Sequence, residues 1–232
     1  MSDMKRVAFI PLESNPETFT SLAHKLGVSE ALTFHDVYSL TDTDLLAFIP
    51  RPAHALILVF PPSDDPAKKN DEAYPKADGT ESALWIKQTI QNACGLMALL
   101  HSVLNGSARK HIVPGSDLEK LLAEAEPLDP YARAELLIKS PSLAAAHKEA
   151  AEAGETEAPD AHAQVDYHYL AFVKGNKEGD DGVYEMDGSR TGPRKISETA
   201  DEDLLGSEDV RKKAQEIMEN TGSVHCGIVA LA

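Results

Sequence analysis

Apolar and polar positions follow two different periods along the chain, and these predict both strands and helices. The segment HALILVFPP is one continuous apolar run, typical of a strand buried on both faces. Further strands are predicted at residues 6–10 and in ALTFHDVYSL, VDYHYLAFV, GVYEMDG and HCGIVALA, and ALWIKQ indicates a strand or a strand end. Several connections are too short for crossover helices, so the pattern favours a mixed or largely antiparallel sheet with helices packed on it.

Helices are predicted where apolar residues recur three and four positions apart. The first is expected to run from a cap signal at residues 14–17 to Leu26, with Gly27 as its stop. Thr41 or Thr43 is expected to cap a second, short helix. Amphipathic helices are also predicted in GSDLEKLLAEAE, DPYARAELLIKS and SEDVRKKAQEIMENTG.

The segment IKQTIQNACGLMALLHSVLNG, residues 86–106, contains an unusual helix. Apolar side chains fill nearly its whole circumference after Cys94, which indicates a central, buried helix. Asn92 is expected near its N-terminal cap, and Asn105-Gly106 at its C-terminal stop. The pattern therefore predicts that Cys94 opens a buried helix.

Two segments lack the apolar residues that a core needs. Residues 61–81 are polar and rich in residues that break helices and strands, and they are predicted to form a long mobile loop. Residues 141–164 are small, polar and acidic after Leu143, and they are predicted as a second long loop, although LAAAHKEAAEA could be locally helical. Two such loops in one compact domain are more often functional than not.

Composition narrows the class of protein. The 232 residues fit one large domain or two small ones, and the two cysteines and lack of a secretion signal favour a cytoplasmic protein, with nuclear import left open. A formal net charge of −16 disfavours nucleic acid and membranes as partners and favours basic ones. The chain has no CxxC pair or HExxH helix, so we expect no metal.

Cys94 is open to two interpretations. A thiol at a helix N-terminus gains positive potential from the helix dipole and can act as a nucleophile. The N–H groups of the first helical turn and the Gln88 amide could then stabilise an oxyanion. A buried cysteine is, however, ordinarily an inert, small hydrophobic residue, and spacing alone leaves both interpretations open.

Nine histidines compete for the role of base beside such a thiol. His101 lies seven residues after Cys94 on one helix, about 10 Å away, and is better explained as a core or capping residue. His168 lies on a predicted strand whose alternation places Asp166 on the same face. Asp187 ends the following strand and could hold the imidazole in one tautomer. A satisfied core histidine is the commoner case, and on residue types alone this triad is one among many.

Several segments, in a fixed order, resemble one protein family. KQTIQNACGLMALLHSVLN resembles the active-site segment of the ubiquitin C-terminal hydrolase (UCH) family of cysteine proteases. FIPLESNPE, DVYSLTDTDLLAFIPRPAHALILVFP, GETEAP, VDYHYLAFV, YEMDG and ETADEDLL are also similar to family segments. The resemblance implies one catalytic domain over residues 1–232 with a papain-like α+β fold. That fold has a central, mostly antiparallel sheet flanked by helices, a knotted backbone and a buried helix that carries the cysteine.

The resemblance also implies residue roles and a reaction. Cys94 matches the nucleophile, His168 the general base and acid, Asp187 the carboxylate that orients it, and Gln88 the oxyanion-hole side chain. The implied reaction is hydrolysis after the C-terminal glycine of ubiquitin, which releases small adducts or unfolded peptides without a cofactor. Activity is expected to rise through neutral pH as the thiol–imidazole pair adopts its reactive form.

The implied partner is ubiquitin, whose flexible tail is basic, and the chain is expected to be a monomer. Residues 141–164 match the family's crossover loop, which spans the active site and admits only a small or unfolded leaving group. Acidic residues are expected to pair with the tail arginines. The residues nominated by resemblance to contact ubiquitin are Leu12, Glu13, Glu17, Asp36 and Glu157.

Two other functions compete with this one. The first is a hydrolase that prefers a ubiquitin-like modifier, which the sequence does not separate from a ubiquitin hydrolase. The second is a ubiquitin-binding or stabilising protein with little turnover. The complete set of nucleophile, base, orienting carboxylate and oxyanion donor disfavours the second, because a pure binder has no need of all four.

Overall fold

A six-stranded sheet lies at the centre of the fold, and every neighbouring pair of its strands is antiparallel. The structure is a computed structural model that describes residues 7–62, 74–156, 158–198 and 202–232. The strands are β1 Phe34–Asp36, β2 Ala55–Phe60, β3 His168–Lys174, β4 Val183–Met186, β5 Arg194–Ser197 and β6 Gly227–Leu231. They are arranged in the order β1-β6-β2-β3-β4-β5, which confirms the predicted largely antiparallel α+β fold.

The helices begin where side chains satisfy the free N–H groups of their first turns. The described α-helices are α1 Pro16–Leu26, α2 Thr43–Leu46, α3 Cys94–Val103, α4 Asp117–Ala125, α5 Pro130–Ile138, α6 Pro141–Glu152 and α7 Glu208–Thr221, and a 3-10 helix spans Gly106–His111. Asn15, Ser116 and Asp129 accept first-turn N–H groups of α1, α4 and α5. Gly27 ends α1 with a φ of 115°, a conformation that favours glycine.

The side chains of strand β2 alternate between two apolar layers, one on each face of the sheet. Ala55, Ile57 and Val59 belong to the apolar layer that contains α1 and α3. Leu56 and Leu58 belong to the layer on the other face, which contains α7. None of these five residues is more than 6% exposed, so the prediction of a doubly buried strand is confirmed.

One predicted strand is absent, a second is shorter than predicted, and one observed strand was not predicted. Between residues 7 and 10 the chain forms only an isolated bridge, from Ala8 to Gln91, so there is no strand there, and residue 6 lies outside the described residues. In ALTFHDVYSL the strand is limited to Phe34–Asp36. These three residues form the short edge strand β1, which pairs with β6 at three positions. The edge strand β5 at the opposite side was not predicted, since its sequence RKIS has little apolar character.

The start of α2 also corrects the sequence prediction. Asp42, and neither Thr41 nor Thr43, is the capping residue, and its carboxylate accepts the N–H groups of Asp44 and Leu45. Thr43 is instead the first residue of the helix. An ionised carboxylate at the cap also interacts favourably with the helix dipole.

The predicted loop at 141–164 is half helix. Ser140 caps α6 and Pro141 occupies its first turn, after which alanines provide high helix propensity. The buried positions Leu143, Ala146 and Ala150 join the same apolar layer as α1. The loop proper therefore begins only after Glu152.

The predicted loop at 61–81 is described only at its ends. Residues 63–73 lie outside the described residues, and residues 74–81 contain neither helix nor strand. Within the described ranges, no helix combines the length and apolar character needed to cross a membrane. The knotted backbone that the family resemblance implies stays a prediction.

Candidate active site

Cys94 is the first residue of α3 and lies inside the protein, with 6% of its surface exposed. Every residue of α3 is buried, which confirms the prediction of a central helix. Ala93 occupies the cap position and makes no side-chain hydrogen bond to the first turn. The first-turn N–H groups and the positive end of the helix dipole therefore lie next to the sulfur, without competition from a capping side chain.

Asp187 and His168 form the second part of the site. His168 is the first residue of β3, and Asp187 follows the last residue of β4, which pairs with β3. The Nε2 atom of His168 lies 2.9 Å from Oδ1 of Asp187. On the neighbouring strand, Phe60 is directly opposite His168 and its ring meets the imidazole edge-on at 5.7 Å. The imidazole is thus held by a carboxylate at one edge and by a phenyl ring beside it.

The carboxylate of Asp187 is almost entirely buried, and both of its oxygens accept hydrogen bonds. Its Oδ1 accepts the backbone N–H of Ser189 at 2.9 Å, and Nε of Arg190 lies 3.3 Å from Oδ2. Its backbone carbonyl accepts the indole N–H of Trp85 at 3.2 Å. Burial opposes ionisation, but the imidazole of His168 and these hydrogen bonds hold the pKa of Asp187 well below its usual range.

The charge state of His168 follows from its neighbours. Burial alone would lower its pKa, but the carboxylate of Asp187 and, to a smaller extent, hydrogen bonding to Cys94 raise the pKa of His168 above its usual range. Because Nε2 faces Asp187, Nδ1 is the ring nitrogen left to exchange a proton with the thiol. The structure therefore brings Cys94, His168 and Asp187 together in the arrangement of a cysteine nucleophile with an oriented base.

Gln88 lies beside this triad, at the end of the segment ALWIKQ. Its backbone N–H donates to the carbonyl of Gly188 at 2.9 Å, which joins the segment to the residue after Asp187. Its side-chain Nε2 donates to the carbonyl of Ile90 at 3.3 Å, and Oε1 is buried with no partner among the described residues. The Nε2 group has a second N–H besides the one donated to Ile90, and this N–H is the group that could donate to an oxyanion.

The segment that leads to Gln88 is not the predicted strand. Several of its backbone groups are satisfied by buried side chains of other elements: the Arg133 guanidinium donates to the Trp85 carbonyl at 2.9 Å, and the Ile86 N–H donates to His101 Nε2 at 3.0 Å. Two residues before Ile86, the N–H of Leu84 donates to the Asn105 side-chain oxygen at 2.6 Å. Side chains thus replace a neighbouring strand, a substitution that alternation along the segment does not reveal.

We expect the neutral state of His101 to make stability depend on pH. Burial lowers the pKa of His101 to about 4, against the opposing charge of Asp187. Between pH 6.5 and about 4 the unfolded chain therefore binds a proton at this residue that the folded chain does not. Folding stability should fall as pH falls through this window, by up to about 3 kcal/mol.

The measurement is urea unfolding of the wild type and of His101→Gln at pH 7 and pH 5. Glutamine retains an acceptor for the Ile86 N–H and removes the titrating group. The variant should lose less stability than the wild type between the two pH values. An equal loss in both proteins would contradict the assigned protonation state.

Asn92 does not cap α3 as predicted. It adopts a positive φ of 58°, which asparagine tolerates better than most residues, and the cap position is occupied by Ala93. Its Nδ2 donates to the carbonyls of Ala161 and Ala163, at 2.9 and 2.8 Å. These carbonyls belong to the strap, residues 153–156 and 158–167, so Asn92 ties the strap to the chain two residues before the Cys94 helix. An asparagine two residues before an apolar helix predicts a role at the helix cap, whereas its partners here are the carbonyls of the strap.

The residues predicted to contact ubiquitin occupy different environments. Glu13 is half-buried, and its carboxylate accepts the N–H of Glu155 at 2.8 Å and the hydroxyl of Thr156 at 3.2 Å, so it holds the other end of the strap. Leu12 is only 5% exposed, and its Cβ lies 3.2 Å from the position that a Cβ on Gly95 would occupy. Little of its side chain is therefore free to meet a partner.

Two further members of that set share one surface. Glu17 and Asp36 are exposed and line a groove of about 470 Å³ together with Glu155, Tyr38 and Phe48. Partial burial raises the pKa of Asp36. Glu157 lies outside the described residues. In the described ranges, no group of three or more His, Cys, Asp or Glu side chains is placed to hold a metal ion.

Comparisons with known proteins match this architecture. A sequence profile described as "Ubiquitin carboxyl-terminal hydrolase, family 1" matches residues 9–219. The chain is 36% identical over 220 residues to the ubiquitin carboxyl-terminal hydrolase YUH1 of Saccharomyces cerevisiae, a match that covers 92% of this chain and 89% of that one. A ubiquitin carboxyl-terminal hydrolase of Drosophila melanogaster is 36% identical over 217 residues, with 91% of each chain covered.

Solved structures show the same fold. The catalytic domain of Trichinella spiralis UCH37 bound to ubiquitin vinyl methyl ester has a TM-score of 0.75 at 23% identity, and covers 98% of this chain and 96% of that one. A second structure of Trichinella spiralis UCH37 bound to the same compound has a TM-score of 0.72 at 24% identity, with 96% and 81% covered. At these identities the likeness concerns the arrangement of helices and strands.

Proposed function

The chain belongs to the ubiquitin carboxyl-terminal hydrolase family 1 and is a cysteine-type ubiquitinyl hydrolase, and we propose that Cys94, His168, Asp187 and Gln88 carry out its reaction. The observation that carries this assignment is the 2.9 Å contact between His168 and Asp187 in a cavity that Cys94 also lines, beside the uncapped end of α3. Such a constellation lets a thiol attack a carbonyl while the developing charge is stabilised by fixed donors.

In the first half-reaction, Nδ1 of His168 takes the thiol proton, and the Cys94 thiolate attacks the carbonyl carbon of the C-terminal glycine of ubiquitin. The carbonyl oxygen becomes an oxyanion that accepts hydrogen bonds from the Gln88 amide and from first-turn N–H groups of α3. The intermediate collapses when the C–N bond breaks, and the imidazolium gives its proton to the leaving amine. The products are a free amine and a thioester between ubiquitin and Cys94.

In the second half-reaction, His168 acts as a base again. It takes a proton from water as the water oxygen attacks the thioester carbonyl, and the C–S bond then breaks. The Cys94 sulfur leaves as a thiolate and recovers its proton from the imidazolium, while ubiquitin departs as a carboxylic acid that loses its proton to solvent. Asp187 stabilises the imidazolium in both steps, because its buried negative charge lies 2.9 Å from Nε2.

We expect Gln88→Ala to lower kcat on a ubiquitin amide by about 10²-fold with little change in KM, because the lost hydrogen bond forms only with the oxyanion. The measurement is steady-state hydrolysis of ubiquitin C-terminal aminocoumarin amide. Gln215→Ala, at an exposed position on α7, is the matched control and should retain wild-type kcat. A purely raised KM in Gln88→Ala would contradict the oxyanion role.

We propose that the basic tail of ubiquitin is bound by acidic residues under the strap. Support comes from the cavity that leads to Cys94 beneath the strap, where the charged lining residues are Glu13 and Asp166. The groove with Glu17 and Asp36 offers a second acidic surface further along α1 and β1. Because the strap is tied down by Glu13 and by Asn92, a leaving group that passes beneath it has to be small or unfolded.

The test of this function is covalent capture by a ubiquitin with a C-terminal electrophile. Ubiquitin vinyl methyl ester should add one ubiquitin to the purified chain, and peptide mapping should place the bond on Cys94. A chain that binds ubiquitin but is neither labelled nor able to cleave the aminocoumarin amide would instead be a binding protein. Faster hydrolysis of the same amide of a ubiquitin-like modifier would transfer the assignment to that modifier.

We propose in addition that residues 1–232 act as one catalytic domain and as a monomer in the cytoplasm. Support comes from the two apolar layers, which cover opposite faces of a single sheet. Sedimentation of the purified chain as a single species of 25.0 kDa would agree with this.

A further inference from the structure

Two cavities meet at Cys94. The first, here called the α7 cavity, has a volume of about 590 Å³ and includes His168, Asp187 and side chains of α7. The second, the strap cavity, has a volume of about 380 Å³ and lies between the strap and the N-terminal segment. Cys94, Val165 and Tyr167 line both of them. The sulfur therefore has a cavity available for each side of a scissile bond.

The described residues that line the two cavities differ in charge. The charged side chains of the strap cavity are Glu13 and Asp166, and no described residue that lines it is basic. The α7 cavity is lined by three cations, Arg190, Arg194 and Lys213. Its described lining also contains two carboxylates, Glu185 and Asp187, so the described residues that line it include one more cation than carboxylate even before His168 is protonated. This excess occurs in a chain whose formal net charge is −16.

The two arginines of the α7 cavity are held in place. Their guanidinium groups lie over the ring of Tyr74, at 4.9 Å for Arg190 and 4.8 Å for Arg194. The hydroxyl of Tyr74 donates to Glu185, which is also paired with Arg194. Arg190 is paired with Asp187. Fixed guanidinium groups lose little conformational entropy when they receive an anion, which favours binding of a carboxylate.

The third cation of the lining is Lys213. Lys213 lies on α7, and its ammonium group is 3.2 Å from Glu216, which is not among the residues that line the cavity. Ile217, one turn further along α7, adds an apolar surface to the same lining. A side chain with a short aliphatic stem and a terminal carboxylate matches this combination.

We infer that the α7 cavity receives the leaving group and selects leaving groups that carry carboxylates. The inference rests on the proposed function, because that function assigns the basic tail of ubiquitin to the acidic strap cavity. A substrate that reaches Cys94 from the strap cavity must extend its other side into the α7 cavity. There, acidic residues just after the scissile bond meet Lys213 and the two arginines, whereas basic residues meet like charge.

The test uses ubiquitin extended at its C-terminus by Ala-Glu-Glu, Ala-Gln-Gln or Ala-Lys-Lys. We expect kcat/KM to fall in that order, by roughly 5-fold at each step in low salt, the size expected for partly exposed ion pairs. The differences should shrink as salt is raised, because the charges are accessible to solvent. Lys213→Glu should reduce or reverse the order. Lys212→Glu, on the same helix but exposed and outside the cavity lining, is the matched control and should keep it.

The aminocoumarin amide of ubiquitin, whose leaving group is uncharged, separates failure of this inference from failure of the proposed function. If the amide is hydrolysed but the three extended ubiquitins are cleaved at equal rates, the inference is overturned and the function stands. The same holds if the basic extension is cleaved fastest. Loss of the preference in Lys212→Glu as well as in Lys213→Glu also overturns it, since net charge alone would then account for the effect. Absence of any hydrolysis and of labelling at Cys94 overturns both.

Discussion

Cys94→Ala should lower kcat/KM on the aminocoumarin amide of ubiquitin by at least about 10⁴-fold, the largest effect that we expect of any single substitution. The thioester cannot form without the sulfur, and the oxyanion donors and bound water alone provide only slow hydrolysis. Alanine is smaller than cysteine and has no polar group to satisfy, so the buried N-terminus of α3 should keep its structure.

Binding separates this chemical role from a structural one. The alanine variant should bind ubiquitin with wild-type affinity in calorimetry and should not react with ubiquitin vinyl methyl ester. Cys226→Ala is the matched control, because Cys226 is the chain's only other cysteine and lines neither cavity. Its thiol makes weak contacts with the Ser223 carbonyl at 3.7 Å and the Thr221 hydroxyl at 3.6 Å. Retained labelling in Cys94→Ala together with lost labelling in Cys226→Ala would refute the assignment of the nucleophile.

Asp187→Asn should lower kcat/KM by about 10³- to 10⁴-fold while leaving ubiquitin binding intact. Both carboxylate oxygens accept hydrogen bonds, from His168 and Ser189 at Oδ1 and from Arg190 at Oδ2. An amide NH₂ group at either position places a donor against a donor. If it faces His168, it fixes the imidazole with its proton on Nδ1, the nitrogen that has to accept the thiol proton.

The pH profile gives a readout that a merely structural role would not change. Asp187 raises the pKa of His168, so the imidazolium that protonates the leaving amine persists to higher pH than that of a free histidine. Without the carboxylate, the alkaline limb of kcat/KM should move to lower pH, by roughly 1 to 2 units. Asp181→Asn, at an exposed position in the turn between β3 and β4, is the control and should leave both the rate and the limb unchanged. A slow Asp187→Asn enzyme whose alkaline limb has not moved would indicate that the carboxylate acts on packing alone.

The four catalytic candidates are predictable from the sequence through the family resemblance, to which local signals at Cys94 and His168 contribute. Cys94 stands at the start of a helix that is apolar on all sides, and His168 begins a strand. The order of several matching segments then links these residues to Gln88 and Asp187. The contacts of Glu13 and Asn92 with the strap could not be predicted in the same way, because each joins residues about 70 or more positions apart.

The sequence by itself determined the elements whose periodicity is strong: the doubly buried β2, the Cys94 helix and the capped amphipathic helices α1, α4, α5 and α7. Hydrophobic burial and capping are set by residues within a few positions of one another, so they are readable along the chain. Only the tertiary structure decided that ALWIKQ is held by Arg133, His101 and Asn105 and not by a neighbouring strand. It alone also decided that the described lining of one cavity at Cys94 carries only acidic charges and that of the other carries three cations, because this difference depends on which distant elements meet around one sulfur.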